Sequence, residues 1–394
     1  MEMKDFIERY AIERKHTNSV KWDALEERYG DADLFPLWIE DMDFRVPEGI
    51  TEALNERIQH GAYGYTFLSD EYFERYQQWM QTYFQFEVKR EWLRFTTSVV
   101  QSMYHAINAF TQKNDSILIL SPVYYPFFAS IADTQRQLVD VGLRNENGRF
   151  SLDYDAIEAA IVREKVRLYI HCSPHNPIGR VWTHDEQARL FEICERHDVL
   201  IISDEIHQDF VYEGHTHIPS ATVQQGKYRH RLITFNSATK TFNLAALMHS
   251  TVIICDEKLR AQYDAYITRI GHTEANIMGA LATSAGYAYG REWLDAVKKV
   301  IQFNYNLLHD QLKRTFPEIT IYPLEGTYLA FIDLNPVLKG ACCHEWIQTQ
   351  CGLAVGYGET FGEKYTGYIR INLATSPQNI EFAIQKLTAM KERL

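Results

Sequence analysis

The sequence predicts an α/β protein: a mostly parallel sheet with helices on both faces, joined to a smaller α+β unit. Three observations carry this. Short apolar runs recur between about residues 95 and 255, helix-like segments lie between several of them, and a long helical stretch with further apolar runs closes the chain. Strands that alternate with helices favour parallel neighbours, because each crossover helix returns the chain to the same end of the sheet and covers one face.

The runs are residues 116–120, 166–171, 199–203, 232–236 and 251–255, dense in Leu, Ile and Val and bounded by polar residues, and read as strands. Residues 152–164 and 184–197 repeat apolar side chains at helical spacing. The second has an explicit start: Thr183 stands as N-cap and Glu186, three residues on, completes a capping box. Residues 174–182 therefore form a loop between strand and helix. Residues 288–315 read as one long helix, and 320–335 with 368–373 as strands of the smaller unit. There is no repeat, linker or low-complexity run. The expected division is 1–45, an N-terminal segment packed with the small unit; 46–287, the large domain; and 288–394, the small α+β domain.

Composition narrows the function. The 394 residues are 46% hydrophobic and 23% charged, which excludes disordered, collagen-like and low-complexity classes. A chain of this length buries roughly three quarters of its unfolded surface. Forty Lys+Arg against 52 Asp+Glu leave a net charge of −12, a field that repels phosphate backbones and anionic lipid, so neither nucleic acid nor membrane is expected as a partner. The cysteines Cys172, Cys194, Cys255, Cys342, Cys343 and Cys351 include no C-x-x-C pair and are too sparse for a secreted disulfide framework. Reduced thiols in a cytoplasm are expected, and no metal. Residues 1–10 carry Glu2, Lys4, Asp5, Glu8 and Arg9 without an apolar core, and no stretch approaches the ~18 apolar residues of a membrane helix.

In open α/β sheets ligands bind beyond the carboxyl ends of strands, which singles out residues 96–101, 121–125, 174–179, 204–207 and 237–240. Asp204 and Glu205 end a run apolar enough to be central, and a carboxylate buried there needs a cationic partner; a structural strand-end acid that caps a neighbouring helix or pairs with an Arg is the alternative. Lys240 follows the run 232–236 among hydroxyls. Such an amine can form a Schiff base with a carbonyl cofactor if burial lowers its pKa; a solvated surface Lys is the alternative.

Taken together, the motifs resemble those of the fold-type I pyridoxal-phosphate enzymes of the class I/II aminotransferase group. Asn176-Pro177-Ile178-Gly179 is similar to that family's N-P-x-G loop, Asp204-Glu205 to its D-E block, Ser237-Ala238-Thr239-Lys240 to its S-x-[ST]-K block, and Arg370 to its C-terminal carboxylate-binding Arg. Residues 18–23, 36–44, 63–65, 203–209 and 240–244 resemble one branch, the carbon-sulfur β-lyases similar to bacterial cystathionine β-lyase of the maltose-regulon type. The resemblance spans about residues 15–375.

It implies a set of roles. Lys240 would bond covalently to pyridoxal 5′-phosphate, Asp204 would hold the protonated pyridine nitrogen, and Asn176 would hydrogen-bond the ring's phenolic oxygen. Tyr124 would stack on the ring, with Tyr125 beside it as a substrate contact. The phosphate would sit at the helix N-terminus of residues 98–101, on the N–H groups of Val99 and Val100, with Ser237 and Thr239 as hydroxyl donors. Tyr65 would reach it from the neighbouring subunit of a homodimer with composite sites. Arg370 would grip the substrate carboxylate. His207 would either orient the Asp204 region or simply pack.

Two departures stand out. The phosphate turn, Thr96-Thr97-Ser98-Val99-Val100-Gln101-Ser102, has no glycine, which puts the cofactor's affinity in question, and Met248 stands where many aminotransferases carry an Arg. The implied activity is α,β-elimination of a β-thio amino acid such as cystathionine or cysteine to pyruvate, ammonia and a thiol. Transamination on the same residues is the alternative, and a regulatory protein that binds a partner on this fold is a second one.

Overall fold

The structure, a computed structural model, describes residues 1–271, 276–389 and 391. Its centre is a seven-stranded sheet in the order Leu93–Thr96, Ser250–Ile253, Leu232–Asn236, Leu200–Asp204, Leu168–Cys172, Ser116–Ile119, Gln137–Asp140. The last five run parallel, and Ser250–Ile253 is antiparallel to both of its neighbours. Every residue of Leu168–Cys172 and Leu232–Asn236 is buried, as expected for strands covered on both faces. The pleat sends alternate residues to two cores: Leu118, Tyr169 and Ile201 join one, Ile117, Ile170 and Ile202 the other.

Two strands lay outside the sequence reading. Leu93–Thr96 has only four residues and includes Arg94, while Gln137–Asp140 is an edge whose Leu138 is exposed, so neither shows the continuous apolar run of a central strand. The helices Tyr154–Glu164 and His184–Arg196 form as expected, and the second carries the full capping box of Thr183 and Glu186. Thr183→Ala removes one of its two reciprocal bonds, and we expect denaturant melts to show about 1 kcal/mol of lost stability.

The smaller sheet runs Thr320–Ile321, Leu329–Asp333, Tyr368–Asn372, Gly356–Tyr357, antiparallel throughout, with helices Arg291–Thr315 and Pro377–Ala389 alongside. The N-terminal segment is stitched to it. Phe35–Pro36 pairs with Leu353–Ala354, the Asn372 amide donates to the carbonyls of Ile39 and Asp41 (2.6 Å each), and Asp43 N donates to Ala374 O (3.0 Å). Residues 18–23 help fix the same segment, because buried Lys21 and the Trp22 indole both donate to Asp43 (2.7 and 2.9 Å).

The loop that carries Asn176 is tied down from the other side. Glu325 accepts from the Arg180 guanidinium (2.8 Å) and Val181 N (3.0 Å), and Gly326 N donates to Gly179 O (2.8 Å). Gly179 has φ +70°, and a Cβ there would lie 3.1 Å from the Pro323 carbonyl, so this turn requires glycine. No helix among the described residues is long and apolar enough to cross a membrane, and all six cysteines are free.

Candidate active site

The carboxyl ends of the central strands open into a cavity of about 150 Å³, and a second, more open cavity of about 440 Å³ adjoins it on the side of the smaller sheet. The inner one is lined by Val99, Val100, Tyr124, Asn176, Asp204, Thr239 and Lys240; the outer one by Tyr125 and Arg370. Glu40 lines both.

Each side chain arrives for a local reason. Lys240 sits in the short helix Ala238–Thr241, directly after the buried strand Leu232–Asn236. The next residue, Thr241, donates to the buried Asp209 carboxylate (2.7 Å), which also accepts from the Trp79 indole (3.0 Å), so this turn is anchored in the core. Asn243 pins the turn to the N-terminal segment by donating to the carbonyls of Met42 (2.9 Å) and Phe44 (3.0 Å). Lys240 Nζ donates to the Glu40 carbonyl (2.5 Å), and the Tyr328 hydroxyl donates to the same oxygen (3.0 Å). Burial lowers the lysine's pKa against the opposing pull of Glu40 and Asp41, which makes the neutral, nucleophilic amine accessible.

The two acids after strand Leu200–Asp204 part company. Glu205 is turned inward and satisfied, by Ser203 Oγ (2.9 Å), Ser220 N (2.8 Å) and His217 (3.2 Å). Asp204 faces the cavity and accepts from Ile206 N (3.1 Å), without a salt bridge to any described cation. Burial, reinforced by Glu205, pushes its pKa up to about 7. This is a buried acid that lacks a charged partner and lines a hollow, the arrangement that a cationic ring nitrogen would complete. It is not the Arg-paired acid of the structural alternative. His207 lines the same cavity; burial and the Lys240 charge push its pKa down to about 3, so its imidazole is neutral, and it makes no hydrogen bond to Asp204.

Helix Val99–Phe110 points its N-terminus into the inner cavity, and Ser98 caps it by accepting from Gln101 N (3.0 Å). The first-turn N–H groups of Val99 and Val100 have no acceptor within the helix and suit an anion. No residue from 96 to 102 has positive φ, so the turn asks for no glycine and its absence leaves the backbone donors in place. The two hydroxyls differ from expectation. Ser237 does not line the cavity: it accepts from Thr239 N (3.1 Å) and donates to the His249 carbonyl (2.7 Å), which leaves Thr239 as donor in their hydroxyl pair (2.8 Å). Thr239 alone of the two faces the cavity. Tyr65 lies fully exposed and lines neither cavity of its own chain.

Asn176 Nδ2 donates to the Glu40 carboxylate (3.1 Å), and its Oδ1 accepts from Arg370 (3.0 Å). Arg370, on the strand Tyr368–Asn372, also donates to the Trp38 carbonyl (2.7 Å) and to the Glu40 carboxylate. Sequence reading named Asn176 and Arg370 but neither Glu40 nor Tyr328. The available signal was a cluster of acids, Glu40, Asp41 and Asp43, inside the apolar segment 36–44.

These features define a fold-type I architecture with a site poised for an aldehyde cofactor that carries an anionic group, and the chain belongs to the family of aminotransferase class I and II, which it matches over residues 32–387. Among curated proteins it is 32% identical to the cystathionine beta-lyase PatB of Bacillus subtilis over 96% of this chain and 97% of that one. It is 31% identical to the protein MalY of Escherichia coli, over 95% and 96%. The crystal structure of the pyridoxal-phosphate-bound C-S lyase from Staphylococcus hominis superposes with a TM-score of 0.90 at 32% identity, covering 96% of each chain.

Proposed function

We propose that this protein is a pyridoxal-phosphate-dependent carbon-sulfur β-lyase of the cystathionine β-lyase type. The observation that carries the reading is the pairing of a buried, pKa-lowered Lys240 with a cation-seeking Asp204 across one cavity. Pyridoxal phosphate, when bound, supplies an electron sink for negative charge at the Cα of an attached amino acid. Asp204 would keep the ring nitrogen protonated, Asn176 would bond its phenolic oxygen, Tyr124 would cover its face, and the N–H groups of Val99 and Val100 would hold its phosphate, with the Thr239 hydroxyl turning its proton from Ser237 to that anion. Ser237 would contribute by orienting Thr239. Lys240 Nζ would remove the Cα proton, and Arg370, with Tyr125 beside it, would orient the substrate carboxylate in the outer cavity. Loss of the β-sulfur as a thiol, followed by uptake of one water, converts the substrate to pyruvate and ammonia.

The relatives named for cystathionine and C-S lyases favour elimination over transamination. The test is to give cystathionine to the holoenzyme without a keto acid and assay pyruvate. Pyruvate release supports the lyase; strict dependence on a keto acid would replace it with an aminotransferase. Arg370→Ala is expected to raise KM at least about thirtyfold, equivalent to roughly 2 kcal/mol, and an effect confined to kcat would exclude the carboxylate role.

The same reading takes the chain as a homodimer in which Tyr65 reaches the partner's phosphate site, supported by the exposure of Tyr63, Tyr65 and Phe67 together. It keeps the division 1–45, 46–287 and 288–394, supported by the two separate sheets, and a cytoplasmic location, supported by six free thiols.

A further inference from the structure

Among the described residues Glu40 is the one acid that faces both cavities, and its environment is unusual for a structural carboxylate. The inward-turned Glu205, by contrast, is held by Ser203, Ser220 and His217, none of which lines either cavity. At Glu40 the side-chain donors are Asn176 Nδ2 and the Arg370 guanidinium, the two groups assigned above to cofactor and substrate. The residue's own carbonyl takes Lys240 Nζ. Arg370 is equally committed: Trp38 O, Asn176 Oδ1 and Glu40 occupy its terminal nitrogens, and its buried Nε has no hydrogen-bond partner among the described residues. The Phe361 ring, 4.7 Å from the guanidinium carbon, closes another side.

From this geometry we propose that Glu40 is a built-in competitor for the substrate carboxylate, occupying the Arg370 clamp and standing between the outer and inner cavities until an incoming carboxylate displaces it. The proposal rests on the reading of Arg370 given above. Its physical content is an exchange. An entering carboxylate gains charge-assisted bonds at Arg370 Nη1 only by releasing the one that Glu40 makes there, so the net gain is smaller than for an open clamp. Displacing Glu40 also unblocks the way to Lys240. The residue therefore sets specificity: substrates with further contacts in the outer cavity repay the displacement, and small monocarboxylates do not. Arg28, His344 and Gln348 on the outer cavity wall offer such contacts to a polar distal group.

The test uses the holoenzyme and propionate, a carboxylate with no amino group to react, with binding measured by calorimetry in wild type, Glu40→Gln and Glu40→Ala. Glutamine keeps the volume and a bond to Asn176, so one variant preserves the packing even if alanine does not, and each is scored by its visible cofactor absorbance. We expect propionate to bind at least about fivefold more tightly to Glu40→Gln and at least about tenfold more tightly to Glu40→Ala, and KM for cystathionine to fall in the same order. Binding that is equal, weaker or undetectable in the variants overturns the proposal, since it would make Glu40 a positioning residue for Arg370. Because propionate does not turn over, this result stands apart from the lyase assignment: tighter binding with no pyruvate from any form would sink the lyase and keep the gate.

Discussion

Lys240→Ala is expected to reduce pyruvate release from cystathionine by at least about a thousandfold while leaving a folded chain that holds pyridoxal phosphate only weakly. Two functions meet at one atom. Nζ is the amine that lines the inner cavity, lowered in pKa by burial, and it is held in place by the Glu40 carbonyl. On the roles proposed above, its removal would take away the covalent bond to the cofactor and the group that moves the Cα proton, and proton transfer by a positioned side chain alone contributes roughly 10²–10⁴ in rate. The fold should survive. The neighbouring anchors, Thr241 on Asp209 and Asn243 on Met42 and Phe44, do not involve the lysine side chain. Steady-state pyruvate assays with near-ultraviolet circular dichroism on the same sample check both halves. Retention of more than about one per cent of wild-type turnover would remove Lys240 from the chemistry.

Asp204 and Lys240 were legible from local pattern, because each follows or ends an apolar run that reports both strand and strand end, whereas Arg370, Asn176, Tyr124, Tyr125 and Tyr65 were implied by the family resemblance. Asp204, Lys240 and Arg370 belong to Leu200–Asp204, the turn after Leu232–Asn236, and Tyr368–Asn372. The helix start at Thr183 was legible for the same reason, because a capping box lies within four residues. What escaped is set by contacts far apart in the chain. Glu40 meets Arg370 across 330 positions and Asn176 across 136, and nothing in residues 36–44 states those partners. Strand direction escaped too. The run that becomes Ser250–Ile253 has the composition of its parallel neighbours, and only the short connection from Leu232–Asn236 through residues 237–249, with no long crossover helix, turns it antiparallel. Ser237 shows a third limit: a motif places a hydroxyl near a site but not the direction of its proton, which the His249 carbonyl takes.

Asp204→Asn should produce two separable effects, in rate and in the pH dependence of stability. In the cofactor-free chain the Asp204 carboxyl is pushed from 3.8 up to about 7 by burial and by Glu205, against the weaker pull of Ile206 N–H and Lys240. Its folded pKa thus lies above its unfolded one, and between those values the folded chain keeps a proton that the unfolded chain has released. Stability must fall as pH rises through this window, by about 4 kcal/mol once pH exceeds 7. Asparagine has no proton to lose, so the variant's apo stability should stay flatter between pH 4.5 and 7.5. A protonated ring nitrogen would reverse the preference by pairing with the ionised carboxylate, so pyridoxal phosphate should stabilise wild type increasingly as pH rises, and the variant much less so. Denaturant melts of apo and loaded forms across pH resolve the four profiles. Parallel profiles for wild type and variant would mean that Asp204 is not the strained acid of the cavity. On the rate side, the amide cannot hold a proton on the ring nitrogen, and losing one preorganised electrostatic partner of this kind is expected to lower kcat by about a hundredfold or more. A variant with the flattened stability profile and a wild-type kcat would separate the two roles: Asp204 would then be a buried acid relieved by some other cation, and the electron sink would need a different partner for its nitrogen.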